Sequence, residues 1–129
     1  MLIDEIGCGN HEIEDQMTTI YHMANGADWQ AAQADGFYYG TPMDKADGFM
    51  HFSTGETVAE SAAKHRKGAH GLVLLCVTAE NFGEDIKWEP ARGGILFPHL
   101  FTPLDVRKVD KAVPLPLDEN GVHIFPELD

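Results

Sequence analysis

One short segment combines an imidazole with two hydroxyl groups, at a point where a predicted strand gives way to a predicted helix. The segment is His51-Phe52-Ser53-Thr54. Successive strand residues point to opposite faces, so Phe52 is expected in the core while His51 and Ser53 face a cleft or solvent. Backbone N–H groups at a helix N-terminus can bind an anion, and both hydroxyls would stand beside them. The segment therefore predicts a ligand-binding position. The alternative is a helix cap beside an exposed histidine.

A second segment, residues 88–94 (WEPARGG), places a carboxylate close to a guanidinium and two glycines. Burial of Glu89 between its tryptophan and proline neighbours would raise its pKa unless a cation such as Arg92 lies nearby. Arg92 could also bind a phosphate or carboxylate through two parallel hydrogen bonds. Gly93 and Gly94 allow a ligand to approach the backbone closely. The alternative is a hairpin turn with an ordinary Glu–Arg pair.

His99 is the polar residue within an apolar run, residues 97–101 (FPHLF). A proline within a strand pattern predicts an edge strand or a bulge. We expect His99 to bind ligand, the alternative being a hydrogen-bonded structural group. Zinc accepts ligands such as His51, His99 and Glu89, but no closely spaced ligand pair supports a metal site, and we expect none. No G-x-S-x-G motif marks Ser53 as a nucleophile.

The surrounding sequence predicts the elements that would position these side chains. Apolar alternation or continuous apolar runs predict strands at residues 18–23, 48–52, 72–77, 86–89, 95–101 and 106–115. One short helix is expected to begin at Asn25 or Asp28 and to end at Gly36. A second is expected from a Ser-x-x-Glu capping box at residues 53–56 to about residue 67. Residues 41–47 are interpreted as a turn.

This pattern predicts an α+β fold with small mixed or antiparallel sheets and two short helices, because the elements do not alternate as regular βαβ units. The continuous apolar run 72–77 predicts a central strand, and Cys76 within it is interpreted as a small core hydrophobe. Phe52, Trp88 and Phe97 are expected in the core.

Acidic residues are concentrated at the two ends of this 129-residue chain, whose formal net charge is −12. Residues 1–16 and 115–129 hold nine of the 21 acidic residues and no Lys or Arg. We therefore expect residues 1–16 to form a flexible acidic N-terminal extension and residues 17–129 to form a single α+β domain.

The charge also limits the expected partners. Residues 17–114 contain twelve acidic and nine basic residues, so they predict no basic surface for duplex nucleic acid or an anionic membrane. Binding of a small anionic ligand is still compatible with this charge, and the sequence does not determine the oligomeric state. The sequence has no apolar run long enough to span a membrane and no secretory signal, which predicts a cytoplasmic protein.

Four segments carry a resemblance to a known family: IYHM, ADGFMHFST, KWEPARGG and LFPHLFTPL. Across residues 19–117 the chain resembles the uncharacterised bacterial family called domain of unknown function 952. That family is grouped distantly with the ADP-ribosyltransferase-like fold, whose members hold NAD in a cleft between two small sheets. The resemblance therefore implies such a cleft here, with NAD as a possible cofactor.

The resemblance also implies roles for individual residues. It places His51 against the nicotinamide ribose, with Ser53 and Thr54 shaping the pocket. It places Glu89 on the ribose 2′-OH, where a carboxylate would stabilise the oxocarbenium-like transition state. His51 and Glu89 would then be catalytic, and the other candidate residues would bind ligand.

Three functions follow from these observations. The first is an ADP-ribosyltransferase-like enzyme that acts on NAD or a related nucleotide. The second is a non-catalytic binding domain for a small anionic metabolite, held by Arg92, the glycine turn and the helix N-terminus after Thr54. The third is a protein-interaction domain that uses the acidic ends.

Overall fold

The structure is a computed structural model, and it describes residues 17–128. Within this range the strands are β1 (Thr19–Asn25), β2 (Phe37–Tyr38), β3 (Met50–His51), β4 (Ser53–Thr54), β5 (Leu72–Thr78), β6 (Ile86–Pro90), β7 (Leu96–Leu100), β8 (Leu104–Asp105) and β9 (Val109–Leu115). The α-helices are α1 (Gly26–Asp35), α2 (Pro42–Asp47) and α3 (Val58–His65). Short 3₁₀ segments cover Ala79–Asp85, Arg92–Gly94 and Val106–Lys108. The predicted α+β class is confirmed, with one α-helix more than expected.

The larger sheet has the strand order β4-β1-β5-β9, and all of its neighbouring strands are antiparallel. The strand β5 lies between β1 and β9, as its continuous apolar run predicted. Its side chains alternate between two cores: Leu75 and Val77 belong to one cluster, whereas Leu74 and Cys76 belong to another. Because both faces of the strand are covered, every position favours an apolar residue.

The second sheet has the order β3-β7-β6, so β7 is its middle strand. Pro98 therefore does not lie on the edge strand that its presence predicted. Its carbonyl accepts a hydrogen bond from the Phe52 backbone N–H at 3.0 Å. The N–H and C=O of a strand residue point to the same side. The missing N–H of Pro98 consequently faces the end of the short strand β3 and costs no hydrogen bond to β6.

Residues 41–47, interpreted above as a turn, contain the helix α2 instead. Thr41 is its N-cap: its hydroxyl accepts from the Asp44 N–H at 3.2 Å, and the Asp44 carboxylate accepts from the Thr41 N–H at 2.7 Å. Pro42 occupies the first turn, where its missing N–H is harmless. The prediction considered only the turn preference of proline and overlooked this reciprocal cap with Asp in the place of Glu.

The Ser-x-x-Glu pattern at residues 53–56 does not begin a helix. Ser53 and Thr54 form β4, which pairs with Tyr21 and Ile20 of β1. The following helix α3 begins only at Val58, so the anion site predicted at a helix N-terminus directly after Thr54 was wrong. Pairing with a buried strand outweighs a local capping preference, which is worth only about 1 kcal/mol.

Two of the three aromatic side chains expected in the core are buried, namely Phe52 and Phe97. Trp88 is 40% exposed, which contradicts the prediction. It lies on β6, an edge strand of the three-stranded sheet, so one side of its ring has no neighbouring strand. Cys76 is buried, as expected.

No helix among residues 17–128 is both long enough and apolar enough to cross a membrane.

Candidate functional site

A cavity of about 320 Å³ lies where β1 and β4 of the larger sheet approach β3 and β7 of the smaller one. The helices α2 and α3 also contribute to its wall. The polar side chains that line it include His22, Thr41, Asp44, Asp47, His51, Ser53, Ser61, His65, Arg66 and His99. Titratable side chains are more numerous in this wall than around three other cavities of the described residues.

Asp44 lies at the centre of this site, and its side chain is only 3% exposed. One carboxylate oxygen, Oδ1, accepts from His51 Nδ1 at 2.5 Å and from the His51 backbone N–H at 3.0 Å. The other, Oδ2, accepts from the Thr41 N–H at 2.7 Å. The same carboxylate therefore caps α2 and orients His51. The sequence analysis missed Asp44 because it interpreted residues 41–47 as a turn.

His51 has a carboxylate at each ring nitrogen, since its Nε2 lies 3.0 Å from Asp47 Oδ2. A carboxylate can only accept, so this arrangement favours the cationic ring with a proton on each nitrogen. The Asp44 hydrogen bond accordingly raises the pKa of His51. Burial alone would raise the pKa of Asp44, but hydrogen bonds from His51 and Thr41 and the neighbouring His22 together lower it to about 2.

His22 is a buried histidine that the sequence analysis did not select. Its Nδ1 lies 2.7 Å from the His51 carbonyl oxygen, so Nδ1 is the donor. Its Nε2 lies 2.8 Å from the Tyr38 hydroxyl and therefore accepts. Burial lowers the pKa of His22, which keeps the ring neutral. The neutral ring thus holds the His51 backbone in place. Its sequence signal was a histidine between Ile20 and Ala24 on the core-facing side of β1.

The two histidines are expected to titrate on opposite sides of their ordinary pKa of 6.5. Two-dimensional NMR of ¹⁵N-histidine-labelled protein should show His51 losing its proton above this value and His22 below it. In Asp44→Asn the pKa of His51 should fall, because its main stabilising partner loses its charge. Asp47→Asn should lower it less. An unchanged His51 pKa in Asp44→Asn would contradict the geometry.

His51, His99 and Glu89 come together on the three-stranded sheet. His51 and His99 are paired across β3 and β7, with ring centroids 5.6 Å apart. Glu89 on β6 accepts a hydrogen bond from His99 Nδ1 at 2.7 Å. His99 lines the cavity and is 7% exposed, whereas the Glu89 side chain is 41% exposed and stands behind His99. Phe49 stacks on the His99 ring at 4.2 Å.

The remaining predicted site residues lie in different places. Ser53 lines the cavity and donates to the Ser61 hydroxyl at 3.1 Å. The Thr54 hydroxyl shares a hydrogen bond with Thr57 and does not line the cavity. Gly93 and Gly94 form the β6–β7 turn with positive φ angles of 63° and 79°, and they too are absent from the cavity wall. The Arg92 side chain falls outside the described part of the structure.

Arg66 is a cation of the cavity wall that was not among the site residues selected from the sequence. It caps α3, and its guanidinium donates to the Met23 carbonyl at 2.9 Å and to Asn25 Oδ1 at 2.6 Å. Both acceptors are neutral, and no carboxylate of residues 17–128 lies within ion-pair distance of it. A guanidinium has five N–H donors. Arg66 therefore retains an unbalanced charge and unused donors.

No group of three or more His, Cys, Asp or Glu side chains within residues 17–128 is placed to hold a metal ion.

Fold and site together define an α+β protein with antiparallel sheets and a ligand-sized cavity lined by histidines. Residues 23–112 match the family described as "Protein of unknown function (DUF952)", and the chain belongs to this family. No curated protein matches the chain.

Two solved structures of one bacterial protein are similar to this chain. The crystal structure of protein CC0527 from Caulobacter crescentus is 50% identical, with a TM-score of 0.80 over 83% of this chain and 94% of that one. Its solution NMR structure is 51% identical, with a TM-score of 0.74 over 82% of this chain and 91% of that one. The architecture is therefore shared with experimentally determined structures.

Proposed function

We propose that the cavity binds a small organic anion with an apolar body, and that Arg66 contacts its anionic group. The observation that carries this proposal is the Arg66 guanidinium, which lines the cavity with two neutral hydrogen-bond partners and no carboxylate. An arginine of this kind favours an incoming carboxylate or phosphate, because a charge-assisted hydrogen bond is about twice as strong as a neutral one.

The other charges of the site leave Arg66 as the contact for an anion. Asp44 and Asp47 carry two negative charges against one positive charge on a protonated His51, so this cluster does not attract an anion. His22 is neutral. Much of the remaining wall is apolar, with Phe52 and Phe97 among its side chains. An apolar wall around a few polar groups is typical of small-molecule sites.

The test is an amide chemical-shift titration with benzoate and with benzamide, a neutral molecule of similar shape. Benzoate should shift the signals of cavity residues, and benzamide should bind much more weakly. Arg66→Gln should weaken benzoate binding about 10- to 100-fold, the loss expected for a charge-assisted hydrogen bond of about 1.5–3 kcal/mol. Lys67→Gln is the matched control, because it removes the same charge from an exposed position one residue away. Equal binding of benzoate and benzamide, or an equal loss in both variants, would contradict the proposal.

A second candidate function is ADP-ribosyl transfer from NAD, which the family resemblance implies. One observation favours it: His51 and Glu89 are connected through His99 at the wall of a cavity between two sheets. Incubation with NAD should then release nicotinamide, and Glu89→Gln should abolish the release. Glu84→Gln, which removes an exposed carboxylate elsewhere, should leave it unchanged. No nicotinamide above the buffer control would exclude NAD as the substrate.

A further inference from the structure

His99 differs from His22 and His51 in having one ring nitrogen without a hydrogen-bond partner among residues 17–128. Its Nδ1 is bound to Glu89, but no protein group within residues 17–128 bonds its Nε2. The described residues contain no fully buried side-chain nitrogen or oxygen that lacks a hydrogen bond. His99 is 7% exposed and lines the cavity. Because His99 lines the cavity, Nε2 is the ring nitrogen left to meet a ligand there.

The protonation of His99 follows from its partner. The Glu89 carboxylate can only accept, so the proton of the neutral ring is on Nδ1 and the lone pair is on Nε2. His51 itself has both nitrogens engaged by carboxylates and offers no lone pair. Of His22, His51 and His99, His99 is thus the imidazole that can accept from a ligand.

We infer that His99 Nε2 accepts a hydrogen bond from a donor group of the ligand in the cavity. Glu89 is then the positioning residue that keeps the His99 proton on Nδ1. The inference rests on the proposed function and narrows its ligand class. The ligand is then a hydroxylated organic anion, whose anionic group meets Arg66 and whose hydroxyl donates to His99. The role of Glu89 is to fix the His99 tautomer, which agrees with its position behind the ring rather than in the cavity wall.

The tautomer can be measured on the free protein, independently of any ligand. Long-range ¹H–¹⁵N NMR of histidine-labelled protein at about pH 8 should show His99 with a protonated Nδ1 and an unprotonated Nε2. Glu89→Gln should give a mixture of tautomers, because an amide can donate as well as accept. Glu84→Gln should keep the wild-type pattern. A protonated Nε2 in the wild type at this pH, or an unchanged pattern in Glu89→Gln, would overturn the inference.

The ligand class is tested by comparing benzoate with 3- and 4-hydroxybenzoate. At least one hydroxy acid should bind about 5-fold or more tightly than benzoate, the gain expected for a net hydrogen bond of about 1 kcal/mol. His99→Phe should remove this preference while benzoate still binds. If benzoate binds and neither hydroxy acid binds better, the His99 inference fails and the proposed anion site stands. If none of the three binds, the proposed ligand class itself is wrong.

Discussion

Replacing Asp44 by alanine is expected to lower the free energy of unfolding by about 3–5 kcal/mol, the range for removing one partner of a buried ion pair. The substitution leaves three donors without their acceptor: the Thr41 N–H, the His51 N–H and His51 Nδ1. It also removes one half of the capping box of α2.

Urea denaturation monitored by circular dichroism measures this loss. Asp47→Ala is the matched control, because Asp47 contacts the other nitrogen of the same ring from the same helix but is 47% exposed. An exposed pair contributes at most about 1 kcal/mol. A loss below about 1 kcal/mol for Asp44→Ala would show that the Asp44 contacts contribute little to folding.

The Asp44 carboxylate also makes the free energy of unfolding depend on pH in the acidic range. Folding lowers the pKa of Asp44 from 3.8 to about 2. Its contribution is therefore fully present above pH 3.8 and is lost as the pH falls toward 2. At about 1.4 kcal/mol for each tenfold change in proton affinity, this contribution is about 2 kcal/mol. Asp44→Asn should therefore lose less stability than the wild type between pH 5 and pH 2, which urea denaturation across this range can measure.

Phe52→Ala is expected to cost about 3–5 kcal/mol, the range for deleting a buried phenyl ring. Phe52 is 2% exposed and belongs to the core cluster that also contains Ile20, Leu75 and Leu100. Its ring centroid lies 5.4 Å from that of His22. The cavity left by alanine would therefore loosen the histidine that supports His51. Thermal and urea unfolding measure the loss, and Phe52→Leu should cost less than about 1.5 kcal/mol because most of the volume is retained.

Trp88→Ala is the informative comparison. From side-chain size alone, it would be expected to lower the free energy of unfolding as much as Phe52→Ala or more. Trp88 is 40% exposed on an edge strand, so its loss should be about 1–2 kcal/mol. A cost equal to that of Phe52→Ala would mean that β6 is covered by something other than the described residues.

Much of the framework around the site could be predicted from local pattern. The β6–β7 hairpin, the central strand β5 and the helix that ends at Gly36 all follow from apolar periodicity and glycine placement. Gly36 adopts a φ of 101° and its N–H bonds the Ala32 carbonyl, as expected for a left-handed C-cap. The hairpin and the helix depend on contacts between residues that are close in sequence, whereas β5 was predicted from its continuous apolar run although its strand partners β1 and β9 are distant.

The errors share a different origin. The Ser-x-x-Glu pattern at residues 53–56 was misassigned because β1 offers Ser53 and Thr54 a strand partner more than 30 residues away. Trp88 was wrongly predicted to lie in the core, because the sequence of a single strand does not show whether that strand lies at the edge of its sheet. A local preference of about 1 kcal/mol is outweighed when a segment can join a sheet and bury apolar surface.

The sequence by itself determined which residue types were available for chemistry. His51, His99 and Glu89 stood out because each is polar within an apolar or turn context. The periodicity that predicted their strands is a local property, so the strands could be assigned without knowing the fold.

Only the tertiary structure decided how these groups act. Arg66 reaches Met23 and Asn25, and His22 reaches the His51 carbonyl, through contacts between segments that are distant in the chain. Whether a histidine is a cation, a fixed neutral support or an open acceptor depends on which groups face its two nitrogens. The partners of His22 and Arg66 are brought together by strand pairing and burial, which are non-local and leave no spacing in the chain from which to predict them.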